Sequence, residues 1–216
     1  MIYCMSDIHG ESDRFYKMLD LIQLQPEDTL YILGDVIDRF PGGVDILLHI
    51  MDMPNAVMIL GNHEQMCLDT LGSHPHYGAR RLWQSNGGRP TYRDLLYHRS
   101  KTERDRVLAF LESLPDHLEI DVGETSYYLV HASPGDDRET QIWERPDIYP
   151  GMLPLLPDKT VILGHTPTIY FTKNMEEPLH IVAGNRVIAI DCGCGNETDL
   201  RRLACLRLDD MQGFYV

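Results

Sequence analysis

The chain has 216 residues, and its 19 Lys and Arg against 33 Asp and Glu give a formal net charge of −14 with neutral histidines. This length suffices for one sizeable hydrophobic core, so the sequence predicts a single domain over residues 1–216. The acidic surplus argues against a nucleic-acid or anionic-membrane binder, because both need a basic face. A hydrophobic share of 43% disfavours intrinsic disorder.

The N-terminus and the cysteines bear on the cellular compartment. Residues 1–10 lack a basic region followed by a long apolar run, so no secretory signal is predicted. Apolar stretches are far shorter than the roughly 18 residues that a membrane helix needs. The five cysteines are an odd number and do not make a secreted-type disulfide framework. We therefore expect a cytoplasmic protein with reduced thiols. We also expect it to be a monomer.

Strand and helix patterns alternate in the first 65 residues. Apolar runs that end in polar loops predict buried strands at residues 2–5, 29–33 and 56–60. Apolar side chains at helical spacing predict helices between these strands, namely Phe15, Met18, Leu19 and Ile22 in the first and Val44, Leu47, Leu48 and Met51 in the second. This alternation implies a parallel sheet with crossover helices.

The character of the sequence changes after the third predicted strand. Residues from about 64 to about 115 carry helical spacing without strand alternation, which predicts a helical insertion. Short apolar runs then predict further strands at residues 118–121, 126–130, 160–163, 180–182, 187–190 and 203–208, the last of which closes the chain. The predicted fold class is therefore α/β.

Polar residues that can bind metals follow the predicted strands. They are Asp7, His9, Asp35, Asn62, His131 and His165. Ligands bind outside the carboxyl ends of strands in open α/β sheets, so we expect these six side chains to converge. Two carboxylates, one amide oxygen and three imidazoles suit Mn²⁺, Fe or Zn²⁺ better than copper. Six ligands are too many for one tetrahedral zinc ion and fit two ions that share a carboxylate.

Five short motifs in this order resemble the signature of the calcineurin-like metallophosphoesterases. They are Asp7-x-His9, Gly34-Asp35-x-x-Asp38-Arg39, Gly61-Asn62-His63-Glu64, a lone His131 after a strand, and Gly164-His165-Thr166-Pro167. The Asp-Arg pair and the Glu point to the phosphoprotein phosphatase branch, which includes bacterial and phage lambda-type phosphatases and the symmetrical diadenosine tetraphosphate hydrolases. The resemblance implies a four-layer α/β/β/α sandwich of two mixed sheets, with the helical insertion described above.

The same resemblance implies a role for each matching residue. Asp7, His9 and Asp35 would bind one metal ion, and Asp35 would bridge to a second ion that Asn62, His131 and His165 complete. Manganese is the favoured metal, with iron and zinc as alternatives, and a hydroxide between the ions is the implied nucleophile. His63, paired with Asp38, would protonate the leaving oxygen. Arg39 and Arg145 would bind phosphoryl oxygens, although a surface ion pair is an open alternative for Arg145.

One further segment supports the resemblance, and two positions depart from it. The segment Trp83-x-x-Asn86-Gly87-Gly88-x-x-Thr91 resembles one that lambda-type phosphatases carry near the mouth of the site. Phe40 and Ser133 stand where the family often has glycine, which bears on substrate preference. Outside these motifs, we interpret Cys192 and Cys194 as packing residues.

Three functions follow from this interpretation. The leading one is hydrolysis of phosphomonoesters, most of all in proteins phosphorylated on serine or threonine and less selectively on tyrosine. The alternative is symmetrical hydrolysis of diadenosine tetraphosphate or a related dinucleotide. A third is a non-catalytic scaffold that recognises phosphorylated partners, but the intact His63, Asp38 and ligand set argue against it. The expected partners are a phosphorylated protein or a small phosphoester, and neither nucleic acid nor a membrane.

Overall fold

The computed structural model describes residues 1–146 and 154–216. Its strands are β1 (Ile2–Met5), β2 (Thr29–Ile32), β3 (Ala56–Met58), β4 (His117–Val122), β5 (Thr125–Val130), β6 (Thr160–Leu163), β7 (Val182–Gly184), β8 (Val187–Ala189), β9 (Ala204–Arg207) and β10 (Gln212–Tyr215). Its helices are α1 (Ser12–Ile22), α2 (Gly43–Asp52), α3 (Asn62–Leu71), α4 (Ala79–Ser85), α5 (Arg89–Arg93), α6 (Lys101–Glu112), α7 (Arg138–Trp143) and α8 (Ile169–Thr172), with a π-helical turn at Asp94–His98.

The strands form two mixed five-stranded sheets. The first has the order β10-β9-β1-β2-β3, with β1, β2 and β3 parallel and β9 antiparallel to β1. The second has the order β4-β5-β6-β8-β7, with β5, β6 and β8 parallel. Parallel strands need crossover connections, and α1 and α2 supply them in the first sheet. The α/β fold class predicted from the sequence is confirmed.

Successive side chains of a strand point to opposite faces of its sheet, so each sheet packs against a different layer on each face. Cys4 and Leu206 of the first sheet pack with Leu129 and Ile162 of the second, so the inner faces of the two sheets meet. The opposite face of the first sheet packs against the apolar stripes of the helices, as Met5 does in a cluster with residues of α1 and α2. The outer face of the second sheet packs against α8. Helices thus cover both outer faces of the sandwich.

Local sequence explains which face of α1 is buried and where α6 begins. In α1 the side chains of Phe15, Met18 and Ile22 are buried, as the helical stripe predicts. In α6 the Ser100 hydroxyl accepts a hydrogen bond from the Glu103 backbone N–H, and the Glu103 carboxylate accepts one from the Ser100 N–H. This capping box satisfies donors that the first turn leaves unpaired. Residues 62–112 contain helices and no described strand.

Two features of the C-terminal part differ from the sequence-based expectation. The strand expected at residues 180–182 lies instead at Val182–Gly184, because the turn at Asn185 and Arg186 places that segment antiparallel to β8. The strand at Ala204–Arg207 does not close the chain, since β10 follows it and forms an antiparallel hairpin with it. Across residues 1–146 and 154–216, the helices lack the combined length and apolarity required to cross a membrane.

Candidate metal centre and active site

The six side chains predicted as metal ligands lie together at the carboxyl ends of strands from both sheets. They are Asp7 and His9 after β1, Asp35 after β2, Asn62 after β3, His131 after β5 and His165 after β6. All six are at least nine-tenths buried. Buried carboxylates and imidazoles are costly unless they are paired or bind a metal, so this cluster is the functional centre of the described chain.

The backbone at this centre is held in an unusual conformation. Asp7, His9, Asp35 and His165 all have positive φ angles, of 53°, 51°, 54° and 61°. Such angles cost free energy for residues other than glycine and persist where surrounding contacts impose them. The neighbouring loops supply these contacts, because the Asp7 N–H donates to the Gly34 carbonyl at 3.1 Å and the His9 N–H to the Asp35 carbonyl at 2.9 Å.

Asp35 is the carboxylate around which the other groups are arranged. Its Oδ2 lies 3.7 Å from His9 Nε2 and 3.9 Å from His63 Nε2. Its Oδ1 lies 3.4 Å from His131 Nε2 and accepts a 3.0 Å hydrogen bond from the His63 backbone N–H. Gly61 permits this approach, since a Cβ there would lie 2.3 Å from Asp35 Oδ1. The two oxygens of Asp35 thus face different histidines.

Potential ligand atoms form two groups that share Asp35. Asp35, His131 and His165 offer ligand atoms within 4.8 Å of one another, and so do Asp35, His9 and His63. The Asn62 Oδ1 lies 3.0 Å from His131 Nε2 and 3.1 Å from His165 Nδ1, which adds it to the first of these groups. This donor set, with oxygen and imidazole nitrogen and no thiolate, fits two hard or borderline metal ions.

Backbone carbonyls orient two of the imidazoles. His9 Nδ1 lies 3.1 Å from the Ile37 carbonyl and His131 Nδ1 lies 2.7 Å from the Leu33 carbonyl. A carbonyl only accepts, so the neutral ring in each case carries its proton on Nδ1 and leaves Nε2 free to bind a metal. Both Nε2 atoms point towards Asp35.

Charges within the cluster shift the pKa values of its histidines in opposite directions. Burial disfavours the charged form of His131, but Asp35 and Asp7 outweigh it and raise its pKa to about 10. Burial and the neighbouring His131 lower the pKa of His165 to about 3. Without metal ions, the protein therefore holds a proton on His131 that partly balances the carboxylates.

Metal binding is expected to release this proton. Since His131 must lose its Nε2 proton to coordinate a metal, Mn²⁺ affinity should rise with pH, by up to about tenfold per unit between about pH 6 and about pH 8. Titration calorimetry in two buffers of different ionisation enthalpy measures the proton release directly. An affinity that stays constant over this range, with no proton released, would contradict the prediction.

Glu64 holds the backbone of the loops that form the centre. It is fully buried, and its carboxylate accepts hydrogen bonds from the backbone N–H groups of Asp35 at 2.8 Å, Val36 at 2.9 Å, Ile37 at 3.3 Å and Gly61 at 3.2 Å. Burial and the nearby Asp35 raise the pKa of Glu64 to about 7, although these hydrogen bonds favour the ionised form. One side chain thus fixes the loops that carry Asp35 and Asn62.

Replacing Glu64 by Gln is expected to destabilise the protein by roughly 2–3 kcal/mol, because one amide NH₂ would face buried N–H donors. The midpoint of thermal unfolding should fall by roughly 5–10 °C. The matched control is Glu112→Gln, which alters a carboxylate that accepts from the exposed Ser73 N–H at 2.7 Å. Equal midpoints for the two variants would show that the Glu64 contacts do not stabilise the loops.

His63 and Asp38 form a buried pair beside the cluster. His63 Nδ1 lies 2.7 Å from Asp38 Oδ2, and both side chains are almost inaccessible to solvent. Burial lowers the pKa of His63, but Asp35 and Asp38 outweigh this effect and raise it. The imidazole is therefore suited to hold a proton that it can donate.

The two arginines predicted to bind phosphate are exposed, and their charges act on histidines of this centre. Arg39 donates a 3.1 Å hydrogen bond from Nη1 to Asn196 Oδ1. The Arg145 guanidinium lies 5.7 Å from the centre of the Tyr170 ring. The charge of Arg145 contributes to lowering the pKa of His165, so this guanidinium lies within electrostatic reach of the cluster.

Sequence reasoning assigned no role to three residues that surround the centre. The sequence shows Glu64 only as part of a motif, and its contacts with the loops are visible in the structure. Asp191 is buried near Asp7 and accepts a 2.8 Å hydrogen bond from the Gly193 N–H. Asn196 is the partner of Arg39. Asp191 follows a strand, as the predicted ligands do, so that signal could have identified it.

Two mixed sheets in a sandwich, with buried Asp and His residues where the strands end, define a metal-dependent hydrolase site. Residues 1–193 match the family described as Calcineurin-like phosphoesterase, and the chain belongs to this family. Members of the family use a binuclear metal centre. The resemblance noted in the sequence is thereby confirmed at the level of the family.

The similar proteins are named for different activities. The chain is 32% identical over 133 residues to the symmetrical bis(5'-nucleosyl)-tetraphosphatase of Acidovorax ebreus, a match that covers 61% of this chain and only 43% of that protein. It is 25% identical over 185 residues to serine/threonine-protein phosphatase 2 of Salmonella typhimurium, covering 79% of this chain and 82% of that one. A crystal structure of a putative diadenosine tetraphosphatase has the same fold, with a TM-score of 0.68 at 18% identity and coverage of 100% and 92%.

Proposed function

We propose that this chain hydrolyses phosphomonoesters in phosphorylated proteins, at phosphoserine and phosphothreonine and less selectively at phosphotyrosine. The observation that carries the proposal is the His63–Asp38 pair at 2.7 Å, placed with His63 Nε2 3.9 Å from the central Asp35 carboxylate. A proton donor beside a metal centre suits esters whose leaving alkoxide needs protonation.

The proposed metal ligands are those predicted from the sequence. Asp7, His9 and Asp35 would hold one ion, and Asp35, Asn62, His131 and His165 the other. When bound, two such ions supply an activated water molecule and polarise the phosphoryl oxygens. We propose Mn²⁺ as the metal, with iron or zinc as alternatives that the same donors accept.

The remaining residues would bind the substrate and move its proton. Arg39 and Arg145 would donate hydrogen bonds to phosphoryl oxygens, which the fork of a guanidinium does better than an ammonium group. His63 would donate its Nε2 proton to the leaving oxygen, while Asp38 holds the imidazole by Nδ1. Without metal ions, Asp7 and Asp35 would repel the phosphate, so anion affinity should depend on metal loading.

Hydrolysis of dinucleoside polyphosphates is the second candidate, because the relative from Acidovorax ebreus is named for that activity. The greater coverage of the phosphatase relative, 82% against 43%, supports the protein-phosphatase assignment. The acidic exterior would in addition disfavour acidic phosphopeptides.

Metal-loaded protein is expected to hydrolyse p-nitrophenyl phosphate and to lose this activity on chelation, since the chemistry depends on bound ions. Phosphoserine peptides and diadenosine tetraphosphate should then be compared by kcat/KM, with chromatography of the products. Absence of turnover by protein with two bound metal ions would refute the phosphoesterase assignment. Much faster cleavage of the dinucleotide would refute the protein-phosphatase assignment alone.

A further inference from the structure

The helical insertion contacts the turn that carries Asp38 and Arg39. These two consecutive residues have φ angles of 74° and 63°, in the left-handed region that costs free energy for side chains with a Cβ. The Arg39 N–H donates to the Gly87 carbonyl at 3.0 Å, and the Asp38 N–H donates to Thr91 Oγ1 at 3.0 Å. Two residues of the insertion thus hold the turn by its backbone.

A third residue of the insertion holds the Asp38 side chain. Trp83 Nε1 donates a 2.6 Å hydrogen bond to Asp38 Oδ2, the oxygen that also faces His63 Nδ1. Among the described residues, Asp38 Oδ1 has no hydrogen-bond partner. The carboxylate is therefore oriented through Oδ2 alone, by His63 on one side and Trp83 on the other.

Burial and the neighbouring Gly88 allow the Trp83 indole to make this contact. Trp83, Thr91 and Asp38 are all buried. A Cβ at Gly88 would lie 2.4 Å from the Cδ1 and Nε1 atoms of Trp83, so the indole edge needs a glycine at that position. Because indole N–H is only a donor, Asp38 Oδ2 must be an acceptor, and it is available to accept from His63 Nδ1–H as well.

We propose that Trp83 and Thr91 are positioning residues for the proton donor. Trp83 orients the Asp38 carboxylate and Thr91 fixes its backbone, so that Asp38 holds His63 with Nε2 towards the leaving oxygen. The inference rests on the proposed proton-donor role of His63. It gives the Trp83–Thr91 segment of the insertion a function in catalysis through Asp38, without contact with the substrate.

Trp83→Phe and Thr91→Val test the proposal against a series of aryl phosphates and phosphoserine in the metal-loaded protein. Trp83→Phe removes a hydrogen bond to the Asp38 carboxylate and Thr91→Val one from the Asp38 backbone N–H, and either loss should lower kcat roughly tenfold for phosphoserine. It should leave kcat for 2,4-dinitrophenyl phosphate within about twofold, because that leaving group needs no proton. Thr91→Ser, which keeps the hydroxyl, should restore the rate.

The control is Thr70→Val, which removes a hydroxyl in α3 that donates to the Met66 carbonyl at 2.9 Å, away from Asp38. Thermal unfolding identifies any variant that folds poorly. If Trp83→Phe folds poorly, Thr91→Val still tests the proposal. Equal losses on all substrates, or no rescue by serine, would overturn the proposal. If His63→Asn itself shows no dependence on the leaving group, the proton-donor assignment fails, and this inference with it.

Discussion

Replacing Asp35 by Asn is expected to abolish phosphoesterase activity and to reduce metal affinity by about 100-fold. Asp35 is the carboxylate common to both groups of potential ligands, and its two oxygens face His9 and His63 on one side and His131 on the other. An asparagine offers one weakly coordinating oxygen and no charge, so neither proposed metal site would keep its shared ligand. Elemental analysis of protein reconstituted with Mn²⁺ measures the effect.

Asp35→Asn should also change the number of protons that are released when a metal binds. Asp35 is the largest factor that raises the pKa of His131, so this pKa should fall in the variant, and metal binding near neutral pH should release less of the Nε2 proton than it does in the unaltered protein. Asp45→Asn is the matched control, since Asp45 is exposed and pairs with Arg99 at 2.7 Å on the surface. A variant lacking Asp35 that still binds two equivalents of Mn²⁺ tightly would contradict the central position of this carboxylate.

The convergence of these proposed ligands could be predicted because strand ends are local features of the sequence. A buried apolar run followed by a polar residue specifies both the strand and the edge at which its ligand lies, as it does for Asp35 and His131. Strand β1 has the predicted bounds, and its buried run ends at the polar Ser6 and Asp7. The shared edge then follows from parallel pairing, without knowledge of side-chain contacts.

The supporting contacts were not predictable from local pattern. The bond between Trp83 and Asp38 joins residues 45 positions apart, and the bond between Arg39 and Asn196 joins residues 157 apart. Such pairs depend on how the insertion and the C-terminal loop pack, which periodicity does not encode. Strand β10 escaped prediction for a related reason, since its short segment contains Gly213 and becomes a strand by pairing with β9.

The position of His63 is compatible with two roles, proton donor and metal ligand. Its Nε2 lies 3.9 Å from Asp35 Oδ2, and the imidazole offers a ligand atom within 4.8 Å of one on His9, so the side chain could either donate a proton or bind a metal. Its Nδ1, 2.7 Å from Asp38 Oδ2, favours proton donation, because an adjacent carboxylate stabilises the imidazolium. The two roles make different predictions for a variant that lacks the imidazole.

His63→Asn is expected to lower kcat for phosphoserine roughly 10²–10⁴-fold and to lower it far less for p-nitrophenyl phosphate. A serine alkoxide leaves only with a proton, whereas p-nitrophenolate is stable without one. If His63 acts as the proton donor, the variant should keep both metal ions by elemental analysis. His98→Asn, in an exposed histidine of the π-helical turn, should change neither rate.

The combination of rates and metal content separates the two roles of His63. Loss of one metal ion together with equal losses on both substrates would show that His63 is a ligand, and the proton donor would have to be sought elsewhere. Full metal content with an unchanged rate on phosphoserine would exclude both roles. Full metal content with a loss confined to the poor leaving group is the expected result, because only a group that acts on the leaving oxygen senses its basicity.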